Sequence, residues 1–290
     1  MSKTKFGALN EHAVAIILKE LSRRTIVEIR KRRVVFNVYE KILDSGKKDI
    51  FTDADIGAEE IILRSLRECF PNFDIISEED KNKKYPKSRN NKWFTVDPLC
   101  GTGNFSNRSS GGIATTISMV INKEIASSYV GNVMTQEIFG YRQGSDNVYR
   151  IREFETHEKI KPEIKNPSEW ALLFRGTPDE FPENTKPMVD ALTGIFDKYI
   201  IDDGSLSLSA VKLWIGEVGA MILKPRTETP WDLTPILGMC QKLGFVYLKL
   251  PGLDEWKPPI IKTIFNRDFP VIMIHKNNME SLNNSLDVPF

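Results

Sequence analysis

The chain has 290 residues, 41% of them apolar, enough to bury a full core without disulfide or metal staples. Its 40 basic and 39 acidic side chains leave a formal charge of +1, which excludes a global field that recruits nucleic acid or an anionic membrane, so any anion selectivity is local. Three scattered cysteines, Cys69, Cys100 and Cys240, exclude a disulfide framework or a zinc ribbon and fit a reducing cytoplasm.

Met1 to Gly7 is polar, and no apolar run approaches the ~20 residues of a membrane span, so the expectation is a cytoplasmic chain. From Glu11 to about Leu43, Val14, Ile17, Leu18, Leu21, Ile26, Ile29, Val34, Val35, Val38 and Ile42 recur at roughly helical spacing and predict one long helix or two consecutive ones. The basic cluster Arg23, Arg24, Arg30, Lys31, Arg32 and Arg33 reads as a solvated helix face. After a Ser45-Gly46 break, Asp49 to Phe51 reads as a short strand, and Thr52-Asp53-Ala54-Asp55 opens a second helix with Ala58, Ile61, Ile62 and Leu66 buried. Phe73 to Ile76 is a strand ending in Ser77-Glu78-Glu79-Asp80. Three adjacent acids repel one another unless solvent or a cation relieves them, so a surface turn and a cation site are both open. Lys81 to Lys92 is basic and interrupted by Pro86, which predicts a loop.

The stretch Trp93 to Phe105 organises the rest. Phe94, Thr95 and Val96 predict a strand that ends at Asp97, because Pro98 cannot donate to a sheet ladder. Gly101 and Thr102 then turn the chain into a helix start, whose unpaired N–H groups attract phosphate. A carboxylate beside a phosphate site makes chemical sense when a cation such as Mg²⁺ lies between them. Beyond it, Ile113 to Ile121, Tyr129 to Val133, Glu137 to Tyr141 and Val148 to Ile151 read as an antiparallel meander with a hairpin turn at Gly144 to Asn147. Glu153 to Asn166 reads as a connection. There follow a strand at Trp170 to Phe174, a helix from Lys186, a strand at Lys198 to Ile201, a helix from Leu206 to about Gly216 and a strand at Ala220 to Leu223. Thr229-Pro230-Trp231-Asp232 then leads into an apolar helix that Gly244 ends.

At Asp97-Pro98-Leu99-Cys100-Gly101-Thr102-Gly103-Asn104-Phe105 the chain resembles the inositol monophosphatase family of metal-dependent phosphatases. That family's signature is Asp-Pro-(Ile/Leu)-Asp-Gly-Thr-x-Asn-Phe, often with a Trp just upstream, as Trp93 stands here. One position departs: Cys100 stands where the family has a second metal-binding Asp. Trp231-Asp232 and the helix after it are similar to the family's second signature, with Thr234-Pro235 where Ala is usual, and the resemblance covers about Lys48 to Leu250.

The resemblance implies an α/β (α+β) fold, a layered αβαβα sandwich of the inositol monophosphatase and fructose bisphosphatase type. Residues 1-152 would form an N-terminal half with the metal site and antiparallel sheet, and 153-290 a C-terminal α/β half, in one compact unit. It implies Mg²⁺, with Mn²⁺ as the alternative, held by Glu78, Asp97, the Leu99 carbonyl, Cys100 and Asp232. Asp55, Thr102 and Glu78 would activate the attacking water, and the Gly101 and Thr102 amides would hold the phosphate. The substrate would be a small phosphorylated metabolite, an inositol monophosphate or related sugar or nucleotide phosphate, and the protein a homodimer.

Three branches remain open at this point. Cys100 permits an active enzyme with a weakened second metal, a site for softer Mn²⁺ or Zn²⁺, or a phosphate-binding and metal-binding protein with little turnover. Lys224 and Arg226, with Ser205, are candidate substrate contacts. The two basic residues point to a second anionic group, as in a bisphosphate of the fructose bisphosphate or 3′-phosphoadenosine phosphate type, with exposed turn charges as the alternative.

Overall fold

The first helix, Glu11–Arg32, starts at Asn10, whose side chain accepts from the Ala13 amide at 2.8 Å. The computed structural model describes residues 2–4, 7–42, 48–79, 91–152, 157–163 and 165–286. The Ser45-Gly46 break, Asp80, the basic loop from Lys81 to Arg89 and Glu153 to Thr156 of the connection lie outside these residues.

The helical spacing that continues to Leu43 in sequence is not used beyond Arg32. Val34 and Val35 are exposed, and Val38–Ile42 is a strand antiparallel to Lys48–Thr52. Closely spaced β-branched residues suit a pleated ribbon better than another helical turn. Part of the basic cluster is also more than solvated surface. Arg30 donates to the carbonyls of Val133 (3.1 Å) and Met134 (2.8 Å), and Arg33 to those of Arg108 (2.8 Å) and Ser109.

A seven-stranded sheet runs in the order His157–Lys159, Tyr149–Ile151, Ile138–Tyr141, Glu124–Asn132, Ala114–Ile121, Lys92–Cys100, Asp74–Ser77. All its pairings are antiparallel except the last, and its first strand comes from beyond residue 152. The strand Lys92–Cys100 does not stop at Asp97. It continues through Pro98, with a register shift between Asp97 and Cys100 that takes up the missing N–H.

The second sheet has six strands, ordered Lys198–Ile201, Ala171–Arg175, Ala220–Leu223, Val271–His275, Phe245–Lys249, Glu255–Trp256. The first three are parallel and the rest antiparallel. Alternation along Ala220–Leu223 shows how the layers stack. Met221 and Leu223 enter a core shared with Trp93 and Phe139 of the first sheet, whereas Ala220 and Ile222 face a core with Val189, Leu192 and Leu282. The helices Leu206–Trp214 and Pro230–Leu243 fill the space between the sheets, Glu11–Arg32 and Asp53–Cys69 cover the outer face of the first, and Lys186–Ile195 with Met279–Leu286 cover that of the second. This is an αβαβα sandwich.

Inside the helix Pro230–Leu243, Pro235 has no N–H to offer the Trp231 carbonyl. Thr116 of the first sheet donates its hydroxyl to that carbonyl at 3.3 Å, which satisfies the freed group and ties the helix start to the sheet. No helix among the described residues is long and apolar enough to cross a membrane.

Candidate active site

A cleft of ≈ 220 Å³ opens where the bulged end of Lys92–Cys100 meets the start of Pro230–Leu243 and the residue after Asp74–Ser77. Glu78, Asp97, Leu99, Cys100, Gly101, Thr102 and Asp232 all line it. The register shift after Asp97 brings donors from positions 97, 99 and 100 to one place, where strict strand alternation would split them between faces. Gly101 turns out of the strand at φ +91°. A Cβ there would run into the Gly112 carbonyl, so the turn needs glycine on both counts.

One donor atom each from Asp97, Cys100 and Asp232 lie within 4.8 Å of one another, and Glu78 lines the same cleft from the neighbouring strand end. Asp97 is 2% exposed and its Oδ1 is buried without a hydrogen-bond partner. Burial, then the proximity of Cys100, Glu78 and Asp232, pushes its carboxyl well above the usual range, because the anion is deprived of water and surrounded by like charge. Glu78 is pushed up to about 8, chiefly by burial; Lys41, 3.6 Å away, pulls in the other direction. The Cys100 thiol is raised too, by burial and by Asp232, and its sulfur accepts from the Ser205 hydroxyl at 2.9 Å.

Thr102 opens the short helix Thr102–Ser106, and its hydroxyl lies 3.1 Å from both Asp55 Oδ1 and the Leu99 carbonyl. Asp55 is placed by a capping box. Its Oδ2 accepts from the Thr52 amide (2.7 Å) and hydroxyl (2.6 Å), leaving Oδ1 for Thr102. Burial raises the Asp55 carboxyl to about 6 despite these bonds. Asp232 sits in the first turn of its helix, its amide held by the Thr229 hydroxyl at 3.3 Å and its Oδ2 by Arg226.

Two expected substrate contacts do not line the cleft. Ser205 is 1% exposed and serves as the N-cap of Leu206–Trp214, accepting from the Leu208 amide at 3.3 Å. Lys224 pairs with Glu180 outside the cleft. Arg226 does line it, bonded to Asp232. Asp49 and Arg175 also line the cleft and were not singled out from sequence. For Arg175 a signal existed: a lone charge ending the buried run Ala171–Arg175, at the carboxyl end of a parallel strand, where α/β ligands collect. Asp49 carries no such mark.

The sequence profile described as "Inositol monophosphatase family" matches residues 3–253. Inositol monophosphatase 1 of Mus musculus is 27% identical over 115 residues, which is 39% of this chain and 41% of the mouse protein. The chain thus aligns with about two fifths of the length of that curated relative. Structural similarity reaches further. The extragenic suppressor protein suhB from Bartonella henselae superposes with a TM-score of 0.73 at 16% identity, covering 96% of this chain and 100% of that one. An IMPase/NADP phosphatase complexed with NADP and Ca²⁺ gives 0.75 at 16% identity, covering 97% and 96%. The family profile spans most of the sequence, and the chain belongs to the inositol monophosphatase family.

Proposed function

We propose that the chain is a phosphatase that hydrolyses a small phosphate monoester with a divalent metal ion, Mg²⁺ or Mn²⁺, an inositol monophosphate or a related sugar or nucleotide phosphate being the substrate. The observation that carries this is the meeting of Glu78, Asp97 and Asp232 from three separate segments, beside a helix start bearing Thr102. The residues fit a hard cation. Asp97 Oδ1 is buried and unpartnered, a costly arrangement unless a positive charge completes it, and the Leu99 carbonyl adds a neutral oxygen. Cys100 contributes sulfur, a poor partner for Mg²⁺.

Bound there, the ion would lower the pKa of a water and neutralise charge on the phosphoryl oxygens. The chain's own groups do the rest. Asp55 Oδ1 and the Thr102 hydroxyl form the pair that orients a water and takes up its proton, with Asp55 fixed in place by Thr52. Gly101, Thr102 and Gly103 present the helix start to the phosphate, and Arg175 adds a permanent cation to the cleft wall. A cytoplasmic homodimer belongs to the same proposal and rests on the family resemblance alone.

Cys100 and Asp232 favour a second reading, a metal-binding and phosphate-binding protein with little turnover, because one accepts from Ser205 and the other holds Arg226. Phosphate release from a panel of inositol, sugar and nucleotide phosphates, including a 2′-phosphate nucleotide suggested by the NADP-bound neighbour, separates the two. The expected result is turnover that needs Mg²⁺ or Mn²⁺, stops with chelator and is abolished by Asp97→Ala. Turnover confined to Cys100→Asp supports the second reading, and none in either protein ends the phosphatase assignment.

A further inference from the structure

Arg226 belongs to the acid cluster, and the fold holds it there. The strand Arg226–Glu228 pairs antiparallel with Phe265–Arg267, setting Arg226 opposite Arg267. Glu228 lies 3.7 Å from Arg226 Nε and accepts from Arg267 Nε at 2.8 Å. Arg267 is fully buried and fastened to the carbonyls of Lys224 (2.9 Å) and Phe269. A strand register and a buried ion pair thus stand behind the guanidinium that bonds Asp232.

Cys100 and Asp232 lie within 4.8 Å of Asp97 and form one side of the cleft, here the second; Glu78 and Leu99 line the cleft outside that set and stand for the first. On the second side Cys100 already accepts from Ser205 and Asp232 from Arg226. A guanidinium does not lose its proton in proteins, so the positive charge there is permanent and repels a further cation. On the first side, among the described residues, the ammonium of Lys41 is 3.6 Å from Glu78 and has a closer partner in Glu79.

We propose that Arg226 supplies at Asp232 the positive charge that a second divalent ion would bring, so that the chain holds a single divalent ion, at Glu78, Asp97 and the Leu99 carbonyl. The proposal rests on the divalent-ion reading of the cleft given above.

Equilibrium dialysis against Mn²⁺, with electron paramagnetic resonance of the loaded protein, tests it without reference to turnover. The wild type is expected to hold one Mn²⁺ per chain with an uncoupled signal, and so is Arg226→Lys, which keeps the charge. The double variant Arg226→Gln/Cys100→Asp is expected to hold two, with an exchange-coupled signal. Two ions in the wild type, or one in a double variant of native circular dichroism, overturns the proposal and leaves the phosphatase reading standing. No Mn²⁺ on the wild type overturns both. The wild-type stoichiometry decides even where the double variant fails to fold.

Discussion

The Thr102 hydroxyl stands 3.1 Å from Asp55 Oδ1, joining two elements 47 residues apart in sequence. Asp55 is 1% exposed and its other oxygen is committed to Thr52, so Thr102 is the group through which it addresses the cleft. Thr102→Ala is expected to lower kcat by about 10²–10³, within the range for losing a general acid–base partner, with little change in melting temperature. Thr102→Ser keeps the hydroxyl and should retain most of the rate. Steady-state kinetics beside thermal melts check both; a full rate in Thr102→Ala would remove the pair from the mechanism.

The buried acids set a pH dependence in the metal-free protein. Burial, as the largest cause, raises Asp55 to about 6, Glu78 to about 8 and Asp97 well above its usual value, so the folded chain keeps protons that the unfolded chain has released. Stability is therefore fully present below the unfolded values and falls as pH rises through the folded ones, from about pH 4 to about pH 8. The rise at Asp55 alone corresponds to roughly 3 kcal/mol. Melting with chelator present is expected to weaken toward alkaline pH, Asp97→Asn to flatten the slope, and added Mg²⁺ to restore stability most at the alkaline end. A chelated protein as stable at about pH 8 as at about pH 5 would contradict this.

What the sequence showed was local. The helix start at Gly101–Phe105, the Thr52–Asp55 cap and the start of Pro230–Leu243 are each fixed by neighbours a few residues away, and each stands where its residues implied. Partners distant in sequence were not legible. Ser205 reaches Cys100 across 105 residues, and an N-cap serine looks the same in sequence as one that binds substrate. Val34 to Ile42 satisfies helical spacing while its β-branched residues favour the ribbon that forms, and only packing decides between them. In sequence Pro98 marks a strand end, because a bulge that accommodates proline leaves no mark on the residues before it.

Arg175 and Lys224 make opposite predictions for substrate binding. Arg175 lines the cleft with 16% of its side chain exposed, held by the Asp202 carbonyl at 2.7 Å and the Ser209 hydroxyl at 3.1 Å. Lys224 pairs with Glu180 outside it. Arg175→Ala is expected to raise KM for anionic substrates by about tenfold, near the value of one charge-assisted hydrogen bond, and most for those with a second anionic group. Lys224→Ala should leave KM within about twofold, since an exposed ion pair contributes little. Parallel KM measurements on a monophosphate and a bisphosphate decide it, and an unchanged KM in Arg175→Ala removes that residue from recognition.

Glu228 and Arg267 form the ion pair behind Arg226, with side chains 3% and 0% exposed and Nε 2.8 Å from Oε1. Glu228→Gln removes the negative charge and leaves the Arg267 guanidinium buried beside Arg226, which is expected to cost about 3 kcal/mol. In a domain of this size that lowers the melting temperature by roughly 6–12 °C. Arg267→Met in the same chain should recover part of the loss, because the two substitutions together remove both charges of the pair and strand neither. Melting curves of the single and double variants read the difference directly. A Glu228→Gln melt within about 2 °C of wild type would show that the carbonyls of Lys224 and Phe269 suffice to hold Arg267, leaving the acid unnecessary for stability.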